Sequence, residues 1–158
     1  MKGAPEIIDI LNKSLEGELF ATMQYILHSE TCEHLGYEKL AAYIKQEAIQ
    51  EMGHAEKLTE RILFLEGTPK MRMNREMGWD SNIKKDLEMQ LKAEFEGIDI
   101  YKEGVRLCRK LEDTGTRKLL ETIIQDEEDH VDWIEEQFNL IEQVGMENYL
   151  AQQMGTAE

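Results

Sequence analysis

The chain has 158 residues, a net charge of −15, 41% hydrophobic residues and 32% charged residues. That is enough for one domain with its own core, while the acidic balance argues against nucleic acid or an anionic membrane as a partner. It suits a protein that gathers cations. No apolar run reaches the roughly 18 residues of a membrane span, and Met1–Ile10 lacks a signal peptide's apolar stretch, so a cytoplasmic protein is expected.

Pro5 and Pro69 are the only prolines, so long stretches are free of helix breakers. Helices are predicted at about 5–35, 38–66, 82–111, 115–144 and 147–154, forming an all-α single domain over residues 1–158. The first presents Ile8, Leu11, Leu15, Glu18, Thr22, Tyr25, Ser29 and Cys32 in alternating steps of three and four, the spacing of one buried helix face. The second presents Leu40, Ile44, Glu47, Glu51, His54, Leu58 and Ile62. Gly36 suits the turn between them. The third presents Leu87, Leu91, Glu94, Ile98, Tyr101, Val105 and Cys108. The fourth presents Leu120, Ile123, Glu127, His130, Ile134, Phe138 and Ile141, after a turn over Glu112–Gly115. The segment Gly67–Asn82 is too long for a tight turn. Extended, it reaches roughly 50 Å, against roughly 40 Å for the second helix. It can therefore run the length of a bundle, joining two antiparallel hairpins by one long crossover. Met146–Met154 is too short to be a stable helix alone and is expected to pack on a partner subunit.

The acidic residues on these stripes repeat. Glu51 and His54 form a Glu-x-x-His pair, and so do Glu127 and His130. Glu18 precedes the first pair by 33 residues, and Glu94 precedes the second by 33. One offset of 76 residues relates the two halves. Residues three apart share a helix face, and each hairpin turn sets its lone glutamate level with its own pair. Four buried carboxylates at one level repel each other and are costly to desolvate. Two divalent cations remove that cost, and the imidazoles add neutral nitrogen donors. Oxygen-rich ligation with two histidines suits iron or manganese. This is the ligand inventory of a carboxylate-bridged two-metal site in a four-helix bundle.

The same offset relates Tyr25 to Tyr101, whose hydroxyls are in reach of metal-bound carboxylates, and Cys32 to Cys108, read as small core residues. It fails at Glu47, whose counterpart is Ile123. Glu47 is read as supporting a ligand or facing an iron access path. Trp133 is read as packing, and His28 and His34 as surface histidines.

Glu18, Glu51-Met52-Gly53-His54, Glu94 and Glu127-Glu128-Asp129-His130 match the bacterioferritins in residue type and spacing. Met1-Lys2-Gly3, Arg61–Gly67 and Asn148-Tyr149-Leu150 resemble the same family. The resemblance implies the ferritin-like four-helix bundle with a short C-terminal fifth helix, and a di-iron ferroxidase centre. Glu51 and Glu127 would bridge two irons, with Glu18 and His54 completing one and Glu94 and His130 the other. Fe(II) would be oxidised by O2 or H2O2 and the ferric product stored in a homo-oligomeric 24-subunit shell, its fourfold axes lined by the fifth helix. Haem b would sit between two subunits on Met52, and a small ferredoxin would supply electrons for iron release. Gln46 and Gln50 stand where some family members carry histidine or acid, which argues against an inner-surface iron site. A rubrerythrin-like di-iron peroxidase or a non-storage di-metal bundle are the competing readings. The first usually adds a domain with Cys-x-x-Cys pairs, absent from this sequence.

Overall fold

The computed structural model describes residues 1–156 and contains five helices, α1 (Pro5–His34), α2 (Glu38–Phe64), α3 (Ile83–Lys110), α4 (Thr114–Val144) and α5 (Met146–Gln153). Pro5 opens α1, where its missing N–H costs nothing. Asn82 and Asp113 cap α3 and α4 by accepting from the N–H groups of Lys85 and Thr116.

α1, α2 and α3 end in the same way. At α1 the N–H of Gly36, with φ 84°, donates to Glu33 and that of Tyr37 to Cys32. This is the paired bonding of a Schellman turn, whose left-handed residue is usually glycine. At α2 and α3 the left-handed position is a glutamate instead, Glu66 and Glu112, each with φ 59°. The second hairpin therefore turns at Leu111–Asp113, ahead of Gly115, which lies inside the first turn of α4 against Arg61.

Antiparallel packing is visible in the cross-helix bonds. Tyr25 of α1 donates to Glu94 of α3, and Tyr101 of α3 donates to Glu18 of α1. Rising numbers on one helix meet falling numbers on the other. α2 and α4 are related in the same sense through His54–Asp126 and His130–Glu47. The result is a four-helix bundle of two hairpins joined by the crossover.

The crossover is pinned along α1. Asn12 donates to the Thr68 carbonyl and accepts from the Lys70 N–H. The Asn74 N–H donates to Glu16, Arg75 lies over the Phe20 ring, Gln24 donates to the Gly78 carbonyl, and the Trp79 indole donates to Thr31. α1 thus has partners on more sides than one stripe supplies. This explains His28, which is fully buried rather than on the surface.

Two apolar clusters fill the bundle. One includes Leu11, Leu15, Leu58, Ile62, Leu120 and Ile123. The other includes Cys32, Leu40, Ile44, Leu87, Ile134 and Tyr149. The acidic level lies between them. α5 folds onto its own chain's bundle, where Tyr149 is buried and donates to Gln137, and it keeps its other residues at least partly exposed.

A candidate two-metal centre

Glu18, Glu51, His54, Glu94, Glu127 and His130 all converge, each with less than a twentieth of its surface exposed. They form two overlapping groups. Ligand atoms of Glu18, Glu51, His54 and Glu127 lie within 4.8 Å of one another, and so do those of Glu51, Glu94, Glu127 and His130. Glu51 and Glu127 belong to both groups, the placement of bridging carboxylates between two ions.

Both imidazoles point the same way. His54 Nδ1 faces inward, 3.1 Å from Glu51 and 3.1 Å from Glu127. His130 Nδ1 lies 3.0 Å from Glu51 and 3.5 Å from Glu94. The outward Nε2 atoms meet carboxylates of the facing helix, Asp126 at 3.0 Å from His54 and Glu47 at 2.6 Å from His130. A carboxylate hydrogen-bonded to the outer nitrogen, as Asp126 is to His54, fixes ring orientation and tautomer and makes the inner nitrogen a stronger donor, whereas Glu47 Oε2 and His130 Nε2 are close but not aligned for a hydrogen bond. Glu47 had been singled out in the sequence. Asp126 had not: it is adjacent to Glu127, off the stripe, and its partner is on another helix.

Without a cation, protons carry the balancing charge. Burial, and then the Glu51 charge, push the Glu18 carboxyl well above the usual range; burial does the same to Glu127. Burial also opposes ionisation of Glu51, but the adjacent His130 and His54 imidazoles outweigh it and hold its pKa well below normal. Burial disfavours the His54 imidazolium, yet the surrounding carboxylates of Glu127, Glu18 and Glu51 push it up to about 12, and His130 is likewise raised, chiefly by Glu47 and Glu51. The arrangement is still incomplete. Glu18 Oε2, Glu47 Oε2, Glu51 Oε1, Glu127 Oε1 and both ring nitrogens of His130 are buried without an aligned hydrogen-bond partner. Unsatisfied buried polar atoms of this density are expensive, and divalent cations fit them.

Met52 is elsewhere. It sits on the outer face of α2 with 48% of its surface exposed. A shallow, largely apolar groove of about 420 Å³ runs beside it, lined in part by Leu19, Ala55, Leu63 and Met71.

The family of the ferritin-like domain matches residues 8–144. That defines the class as a ferritin-like helical bundle. Curated relatives narrow it. Bacterioferritin of Mycobacterium bovis and Bacterioferritin BfrA of Mycobacterium tuberculosis are each 38% identical over 152 residues, covering 96% of this chain and 96% of the relative. Bacterioferritin of Brucella melitensis is 40% identical over 149 residues, covering 94% and 92%. The chain belongs to the bacterioferritin family. No helix among the described residues is long and apolar enough to cross a membrane.

Proposed function

We propose that the protein stores iron and is a ferroxidase, oxidising Fe(II) at the centre formed by Glu18, Glu51, His54, Glu94, Glu127 and His130. The observation that carries this reading is the pair of four-residue groups sharing Glu51 and Glu127. Glu51 and Glu127, shared by both groups, would hold both ions, with Glu18 and His54 completing one position and Glu94 and His130 the other. Two Fe(II) ions bound there supply the electrons that reduce O2 or H2O2. The chain's own part is positioning and proton management. Tyr25 and Tyr101 hold Glu94 and Glu18 from the opposite hairpin. Asp126 aims the His54 imidazole inward, and Glu47 lies against the outer nitrogen of His130. Metal binding displaces the protons held on Glu18, Glu127 and both histidines, so it acidifies the medium.

The ferric product is stored in a hollow homo-oligomeric shell of 24 subunits built from dimers, in the cytoplasm, with a small ferredoxin as electron donor for release. Haem b fits Met52: an exposed thioether beside an apolar groove is a suitable axial ligand once a second copy covers the other face.

Glu18→Ala and Glu94→Ala should each slow initial Fe(II) oxidation by about 100-fold, the scale of a lost ligand interaction in a catalytic site, while size-exclusion mass is unchanged. Parent-like initial rates in both variants would contradict the site.

A further inference from the structure

A cavity of about 290 Å³ opens between α1 and α3 and reaches Glu18, Glu51, Glu94 and Glu127 from the side opposite the α2–α4 seam. Ala21, Ala93, Gly97 and Ile100 form part of its wall, and Met73 and Arg75 of the crossover form part of its roof. Every carboxylate at its mouth is already neutralised. Glu96 lies 2.8 Å from Arg75, and Glu16 accepts from the Asn74 N–H and lies 3.9 Å from Arg72. The α2–α4 seam is the reverse. Among the described residues no lysine or arginine lies within 4.0 Å of Glu47 or Asp126, and the Asp126 side chain keeps 32% of its surface exposed. Both acids touch the outer nitrogens of the two imidazoles.

From this contrast, and resting on the metal-centre reading above, we propose that the two sides of the bundle admit different reactants. The α2–α4 seam admits the cation, and the α1–α3 cavity is the port for a small uncharged oxidant, with Arg75 setting its selectivity. An uncompensated carboxylate path concentrates cations, whereas a charge-cancelled, small-residue channel does not. The cavity floor is anionic only until two divalent ions are bound, and the oxidant is needed after that point.

Gly97 offers the test, because it lines the cavity and a Cβ there meets nothing within 4 Å. The assembled metal-free protein is mixed anaerobically with Co2+, a redox-silent probe, and separately the Fe(II)-loaded protein is mixed with H2O2. Gly97→Leu should lower the H2O2 rate constant by about tenfold or more, a modest added barrier, and leave Co2+ association within about twofold of the parent. Gly97→Ala should change neither. Arg75→Ala exposes Glu96 and should raise the Co2+ association rate and its salt sensitivity. If Gly97→Leu slows Co2+ and H2O2 equally, the division of ports is wrong while the metal centre stands; if Arg75→Ala leaves Co2+ association unchanged at low salt, Arg75 does not set the selectivity of the cavity. If the parent binds no Co2+ at all, the metal centre itself is wrong, and the ports with it.

Discussion

Asp86 and His28 form a second buried polar pair, separate from the two-metal level, with His28 Nε2 3.4 Å from Asp86 Oδ1. The ring nitrogens of His28 meet the side-chain amides of Gln24 at 2.6 Å and Gln90 at 2.8 Å. Both Asp86 oxygens lack an aligned partner. Burial raises Asp86 to about 7 and lowers His28 to about 4. A raised carboxyl keeps its proton in the folded state after the unfolded chain has lost it, so Asp86 withdraws stability as pH rises from about 4 to about 7. A lowered imidazole does the opposite: the unfolded chain takes up a proton first, so His28 withdraws stability as pH falls from about 6.5 to about 4. Asp86→Asn should therefore stabilise the protein little at pH 4 and on the order of 2 kcal/mol at pH 7. Thermal midpoints across that range check this, and a gain that does not depend on pH would contradict it. At the same scale, Met52→Leu removes the sulfur and should abolish haem absorbance in protein purified with haem supplied; haem kept at the parent level would rule out the axial role. The ligands themselves were legible because metal chemistry needs fixed residue types at fixed spacing. His28 was not, because its burial depends on the crossover lying against α1.

At the scale of the element, helix periodicity and turn chemistry carried most of the architecture. Gly36 marked the first hairpin turn correctly. At the second turn the glycine signal misled: Gly115 is helical, and Glu112 holds the left-handed position that glycine usually takes. Side-chain residues rarely adopt that conformation, so sequence signals pointed a few residues late. The same strain makes a prediction. Glu112→Gly should stabilise the protein by about 0.5–1 kcal/mol by relieving the left-handed residue, read as a rise in thermal midpoint with unchanged oxidation rate. A lower midpoint would mean that the glutamate side chain contributes more than its backbone strain costs.

Across the whole molecule, each hairpin contributes three residues to the centre, and each four-residue group borrows one bridging glutamate from the other hairpin. Metal binding is thereby linked to docking of the two halves. Co2+ at about 100 times its dissociation constant should stabilise the protein by about 2.7 kcal/mol for each independent site. A chelator should reverse the rise in thermal midpoint, and no rise at all would contradict a shared centre. The 76-residue repeat made this division legible. Its failure at position 47 pointed to Glu47, but it could not reveal Asp126, whose contact with His54 depends on which helix faces which. The crossover carries a consequence of another kind. A protease must draw a substantial stretch of chain, free of neighbours, into its cleft. Lys70, Arg72 and Arg75 are potential trypsin sites, yet the segment around them is fastened to α1 from Thr68 to Trp79. Cleavage there requires local opening of several of these fastenings together, so this long irregular segment should resist digestion far better than its lack of helix suggests.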